Sequence, residues 1–249
     1  LVTGASRRIA IGAGLVRRLV ADGAAVLAHG WSAHDAEQPW GADPGGVEAL
    51  VEELRADGSR VEHVSTDLAG PAAPERLVQA ARDVFGRLDI VVANHARSSD
   101  QTLEDLTPEE LDLSFAVNTR ATLLLAKAFA AQHDGRRGGR VVLFTSGQYH
   151  GAMPSELPYV ASKGALHQLT ASLAAHLMPR GITVNCVDPG PNDTGYARDD
   201  VRSAVASHIP GGRWGTPADA ARLVAWLVSD EAEWVTGQVI ASDGGWSGL

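Results

Sequence analysis

The sequence predicts an α/β fold, with about seven strands in a doubly wound parallel sheet and helices on both faces. Three observations carry this. Short runs of β-branched and other apolar residues alternate with longer amphipathic stretches almost from end to end. Several of these runs are apolar at successive positions, as strands covered on both faces must be. A glycine-rich turn also follows the first run and opens into a helical pattern, where open α/β sheets carry their ligand crevice.

Strands are expected at residues 1–3, 25–28, 61–64, 90–93, 141–145 and 182–187, with a short last one at 238–241. Helices are expected near 13–22, 46–57, 72–86, 108–132, 156–178 and 217–228. Two helix starts are explicit, Thr107-Pro108-Glu109-Glu110 and Thr216-Pro217-Ala218-Asp219. In each, the threonine caps free N–H groups, proline fits the first turn, and an acid sits at the positive end of the helix dipole. Residues 31–46, rich in Gly, Pro and polar side chains, read as a long loop. Residues 189–215 read as a second irregular region with room for a short helix. Without a repeat, a low-complexity tract or an internal boundary, residues 1–249 read as one domain, with a substrate-binding segment at about 190–215.

Composition narrows the partners. A formal net charge of -9 argues against nucleic acid or an anionic membrane surface as a general partner. The most apolar stretch, residues 121–131, is short and broken by Lys127, so no membrane span is expected. The single cysteine, Cys186, excludes an internal disulfide framework and fits a reducing, cytoplasmic setting. The chain opens at Leu1 rather than Met, so a few upstream residues are expected. The histidines show no metal-ligand spacing, and no catalytic metal is expected.

The glycine-rich turn runs from Gly4 to Gly14. Glycine permits a sharp turn and lets a pyrophosphate approach the N–H groups at a helix start. A tight strand-to-helix connection is the plainer reading of that turn. Asp67, after the third strand, can accept from an adenine amino group or act as a turn residue. Tyr159 and Lys163 lie four apart early in a helix and so share one face. A phenol with a free pKa near about 10 is a poor acid–base group at neutrality, and a nearby ammonium favours its anion. Such a pair can give a proton to a carbonyl oxygen or take one from an alcohol. Ser146, at the end of the 141–145 run, can steady that oxygen as charge develops, or be a turn serine. Asn118, a poor helix former inside a helical stretch, either holds a water or a local bend, or lies on the surface.

Together these residues resemble the short-chain dehydrogenase/reductase family over essentially the whole chain, which implies a Rossmann-type fold. Thr3–Ser6 with Gly12 match the coenzyme turn, and Asn118, Ser146, Tyr159 and Lys163 match the catalytic tetrad in order and spacing. Residues 185–190 with Thr194 resemble the segment lining the nicotinamide amide. Residues 211–217 and 243–245 resemble the family's C-terminal signatures. The resemblance implies coenzyme contacts from Gly4, Ser6, Arg7, Arg8, Ile11, Gly12, Asp67, Leu68, Asn94, Tyr159, Lys163, Pro189, Gly190 and Thr194. It further implies that Tyr159 passes the proton, Lys163 holds the nicotinamide ribose and tunes Tyr159, Ser146 fixes the carbonyl, and Asn118 holds a relay water.

The chain departs from the family in the turn, which is two residues longer than the commonest form and has Ala10 for the second glycine. His95 stands in the usual Asn-Asn-Ala-Gly stretch and reads as a packing residue. At the end of the second strand, where an acid would bind the ribose hydroxyls of NAD, the chain has Gly30. Arg7 and Arg8 can instead pair with a 2′-phosphate, so NADP is favoured and NAD remains open. The expected activity is reduction of a carbonyl, a 3-oxoacyl thioester or related ketone. An alcohol or sugar dehydrogenase and a non-catalytic coenzyme-binding scaffold are the alternatives. Tyr149, His150, Met153 and Tyr196 line the substrate pocket or pack against other subunits. Family analogy implies a homodimer or homotetramer through the helices near 108–132 and 156–178.

Overall fold

Val2 joins the two halves of one parallel sheet. Its N–H donates to Leu27 O (3.0 Å), and its carbonyl accepts from His29 N–H (2.8 Å). On the other side Thr3 N–H donates to Val92 O and Val92 N–H to Leu1 O. The structure, a computed structural model, describes residues 1–197 and 199–248. Residues 1–3 thus stand between β1 (Val26–Gly30), paired with β2 (Val61–Ser65), and β3 (Ile90–Ala93). Beyond β3 follow β4 (Gly139–Phe144), β5 (Ile182–Asp188) and β6 (Val239–Ala241), every pairing parallel. Six strands and this central bridging segment fill the seven expected places. The order reverses beside residues 1–3, where the chain first steps out to β2 and then crosses back to β3. A crevice opens at such a switch point, at the carboxyl ends of the strands.

Successive residues of the central strands feed opposite cores, because side chains alternate across a strand. On β4, Val141 and Leu143 pack with Leu77, Leu125 and Phe129 from α4 (Ala73–Phe85) and α6 (Ala121–Gln132). Val142 and Phe144 pack with Leu15, Leu50 and Val224 from α1 (Ile11–Ala21), α3 (Gly46–Ala56) and α9 (Pro217–Leu227). All six residues of β4 and all seven of β5 are buried, the polar Arg140, Thr183, Asn185 and Asp188 among them. The two threonine starts behave as the sequence implies. Thr107 Oγ1 accepts from Glu110 N–H (3.3 Å), and Thr216 with Asp219 forms a capping box.

Two stretches differ from the sequence reading. Within the expected 31–46 loop lies a short helix, α2 (Ser32–Glu37). The expected helix at 108–132 is not continuous: α5 (Pro108–Ser114) passes through a wide π-type turn at Phe115–Arg120 before α6 begins. Such turns mark places where a helix is bent to present a particular side chain. The irregular region after β5 contains α8 (Asp199–His208), and the long α7 (Leu157–Leu177) packs along β5. Among the described residues, no helix is long and apolar enough to cross a membrane.

Candidate active site

The turn after residues 1–3 is too tight for side chains at two positions. Gly4 has φ +74°, and a Cβ there would stand 2.7 Å from His95 Cα. A Cβ on Gly12, in the first turn of α1, would stand 2.0 Å from Gly4 O. Asn94 Nδ2 ties the turn from outside, donating to Thr3 O (3.0 Å) and Gly4 O (3.1 Å). Two histidines support it from below. His29 Nδ1 accepts from Gly4 N–H (3.4 Å) while Nε2 pairs with Thr66 O (2.8 Å). His95 pairs with the Thr3 hydroxyl (2.7 Å) and with Val117 O (3.0 Å). Burial, helped by nearby His29 and Lys163, drives the His95 pKa down to about 3, so it is a neutral packing group.

Over this turn lies a cleft of about 390 Å³, lined by Gly4, Ser6, Arg7, Asp67, Leu68, Asn94 and Tyr159 among others. Those sequence-nominated residues therefore share one space. Others do not. Arg8 is exposed and outside the lining, its N–H donating to Asp43 Oδ2 (2.5 Å). Ile11 opens α1 behind the turn. Pro189, Gly190 and Thr194 follow the carboxyl end of β5, where Gly190 N–H donates to Asp188 Oδ1 (3.0 Å). Asp67 lines the cleft, and its Oδ1 accepts from Ala69 N–H (2.8 Å) as a turn residue. Arg7 lays its guanidinium 5.6 Å from the Trp40 ring centroid, and its buried Nε has no partner among the described residues.

Tyr159 enters the cleft from the first turns of α7, with Ser146 facing it from the end of β4. One helical turn on, Lys163 is buried, its Nζ donating to Phe144 O (2.9 Å) and lying 5.9 Å from the Tyr159 ring centroid. Burial pulls the Lys163 pKa down to about 8. Burial also pushes the Tyr159 phenol up to about 12, against the pull of the Ser146 hydrogen bond and with Glu156 and Asp188 adding to the rise. The expectation that the ammonium lowers the phenol pKa is thereby reversed in this state. The Lys163 ammonium is directed at the end of β4, and desolvation of the phenolate dominates.

Asn118 projects from the π-type turn and is fully buried, which disposes of the surface reading. Its Oδ1 accepts from Arg97 N–H (2.6 Å), and its Nδ2 donates to Arg97 O (3.0 Å) and Ser162 Oγ (2.8 Å). Ser162 in turn donates to Tyr159 O (2.9 Å). Both amide hydrogens are thus committed to protein, and the side chain works as a clamp between the 97 loop and α7. At the end of β5, burial raises the Asp188 carboxyl pKa. Its Oδ2 is 3.5 Å from His150 Nε2, and the Tyr149 ring lies tilted against the rings of His150 and His167. Tyr196 meets Trp40 and Trp214 edge-on, which links the 31–46 and 189–215 segments beside the cleft.

Sequence reasoning assigned no role to two groups in the cleft wall. Arg97 makes a bidentate pair with Glu110 (2.7 and 2.8 Å). Asp35, from α2, is buried and accepts from the Ser6 hydroxyl at 2.5 Å. Neither has a local signal, since each depends on how a polar loop folds back.

A family model described as enoyl-(acyl carrier protein) reductase matches residues 4–247. An uncharacterized oxidoreductase of Bacillus subtilis, YjdA, is 39% identical over 247 residues, covering 98% of this chain and 95% of its own. Versicolorin reductase stcU of Emericella nidulans is 34% identical over 261 residues, covering 98% and 94%. Among solved structures, a short-chain dehydrogenase/reductase from Serratia marcescens superposes with a TM-score of 0.87 at 32% identity, over 98% of this chain and 96% of that one. A blue fluorescent protein from a metagenomic library, in complex with NADPH, superposes with a TM-score of 0.86 at 34% identity over the same shares. Similarity of sequence and fold along nearly the full length, with a Tyr–Lys pair on one helix beside a double-glycine turn, leads to one conclusion: the chain belongs to the short-chain dehydrogenase/reductase family.

Proposed function

We propose that this chain is an NADPH-dependent reductase that turns a carbonyl compound, a ketone or 3-oxoacyl thioester, into a secondary alcohol. The observation that carries this is the Tyr159 phenol, which lines the cleft and bonds to Ser146, with Lys163 one turn on along the same helix. A phenol in that position can give a proton to a carbonyl oxygen. A scaffold without turnover needs neither Tyr159 nor Lys163.

The cleft fits a dinucleotide. Its volume is within the range of small-molecule sites, Gly4 and Gly12 clear the approach to the start of α1, and Arg7 Nε is a buried donor without a partner. Gly4, Ser6, Arg7, Asp67, Leu68 and Asn94 would hold the adenosine and pyrophosphate. Lys163, Tyr159, Pro189, Gly190 and Thr194 would hold the nicotinamide end. When bound, the nicotinamide supplies the hydride. Ser146 fixes the carbonyl oxygen and strengthens its bond as charge develops there. Tyr159 Oη delivers the proton to that oxygen. Lys163 keeps a positive charge on the same helix face, and Asn118 is a positioning residue that locks α7 to the 97 loop. The NADPH complex of the metagenomic relative and the reductase name of the Emericella protein support the coenzyme and the direction. The whole chain is read as one coenzyme-binding domain with its substrate segment at about 190–215. We place it in the cytoplasm as a homodimer or homotetramer.

Fluorescence titration of the purified protein with NADPH and with NADH tests the coenzyme reading. Saturable binding of both, tighter for NADPH, is expected. A folded sample that binds neither overturns it.

A further inference from the structure

We propose that Asp35 is a coenzyme-discriminating residue, supplying from α2 the acid that the end of β1 lacks. Its carboxylate is placed to receive a ribose whose 2′-hydroxyl is free, and so to admit NADH beside NADPH. The inference rests on the dinucleotide reading of the cleft.

β1 ends at Gly30, and there the strand presses on the coenzyme turn. A Cβ on Gly30 would meet Ser6 Cα and Cβ at 3.1 Å and Val47 Cβ at 3.0 Å, so a side chain at that position has little space. The chain then turns through Trp31 into α2, which brings Asp35 back to the same turn. Asp35 is 8% exposed, it lines the cleft, and its Oδ2 accepts from Ser6 Oγ at 2.5 Å. Its Oδ1 has no hydrogen-bond partner among the described residues. α2 is steadied across the cleft, where His34 Nδ1 lies 3.4 Å from Arg97 Nη1.

The chemistry of this wall has two opposed parts. An ionised carboxylate only accepts hydrogen bonds, so it suits a ribose diol and repels a 2′-phosphate. It also engages the Ser6 hydroxyl, which would otherwise be a donor for that phosphate. Glu37, also in the lining, adds to the negative side. Against them stands Arg7, stacked on Trp40, with its buried Nε unpartnered. Arg97 does not add to this, because its charge is matched by Glu110. Coenzyme choice is therefore a balance between Arg7 and Asp35, and removing the Asp35 charge tips it.

The test is a set of fluorescence titrations with NADPH and NADH on the parent, Asp35→Asn and Asp35→Ala, each checked for folding by its melting curve. Asp35→Asn keeps an acceptor for Ser6 and removes the charge. The ratio of NADPH to NADH affinity is expected to rise by about tenfold or more in both variants. Competition by adenosine 2′,5′-bisphosphate against AMP should show the same shift, which places the effect at the 2′ position. A ratio within about twofold of the parent, or a shift with whole coenzymes that the two nucleotides do not reproduce, overturns the proposal while leaving the coenzyme reading intact. A parent that binds neither coenzyme overturns both.

Discussion

Tyr159→Phe is expected to keep coenzyme affinity within a few-fold and to lower turnover by about 10²–10⁴-fold, the usual scale for a general acid. The change removes only the hydroxyl, and the ring can stay where it packs over Lys163. What is lost is the one proton donor that the cleft holds against Ser146, in a setting that keeps it protonated up to about 12. The variant loses the Tyr159–Ser146 hydrogen bond, so its stability should fall by no more than about 0.5–1.5 kcal/mol, the contribution of such a bond. Steady-state rates with a confirmed ketone substrate, alongside a coenzyme titration, separate the two effects. Turnover at the parent rate would remove Tyr159 from the chemistry.

Gly12→Ala should be the most damaging small change in the coenzyme turn. The added methyl would sit 2.0 Å from Gly4 O and 2.9 Å from Asn94 Nδ2, where the first neighbour is backbone and cannot rotate away. Either α1 shifts or the turn opens, and both move the N–H groups that would face a pyrophosphate. Overpacking of this kind costs about 1–3 kcal/mol, so the denaturation midpoint should fall together with a large loss of coenzyme affinity. Gly164→Ala on α7 is the contrast. A Cβ there meets nothing within 4 Å, and the same substitution in a helix interior should stabilise by about 0.5–1 kcal/mol. Parent-like melting and binding in Gly12→Ala would show that the turn is looser than its geometry implies.

The parts of this molecule that are legible in sequence are those where local pattern and burial agree. β3 at Ile90–Ala93 lies where its β-branched run places it, and β4 and β5 are legible because both faces of each are covered. The threonine caps at Thr107 and Thr216 are legible because capping is decided within four residues. The Tyr159–Lys163 pair is legible because helical spacing fixes its common face. What stays hidden depends on partners distant in sequence. Asp35 is one acid in a polar loop until α2 returns it to Ser6, twenty-nine positions earlier in the chain. The π-type turn at Asn118 follows from the demand of its carboxamide for Arg97 and Ser162, which no helix propensity encodes. The rise in the Tyr159 pKa is hidden for a similar reason: spacing locates the ammonium, but burial, a property of the whole fold, outweighs it.

The most direct measurement follows the hydrogens. The enzyme is incubated with a panel of ketones and 3-oxoacyl thioesters and with NADPH deuterated at the nicotinamide carbon that gives up the hydride, and the products are read by mass spectrometry. Deuterium on the carbinol carbon of an alcohol product, formed by the parent and reduced to a trace by Tyr159→Phe, is the expected result. An alcohol that forms without the label, or that Tyr159→Phe makes as fast as the parent, would contradict the assignment of a Tyr159-dependent carbonyl reductase.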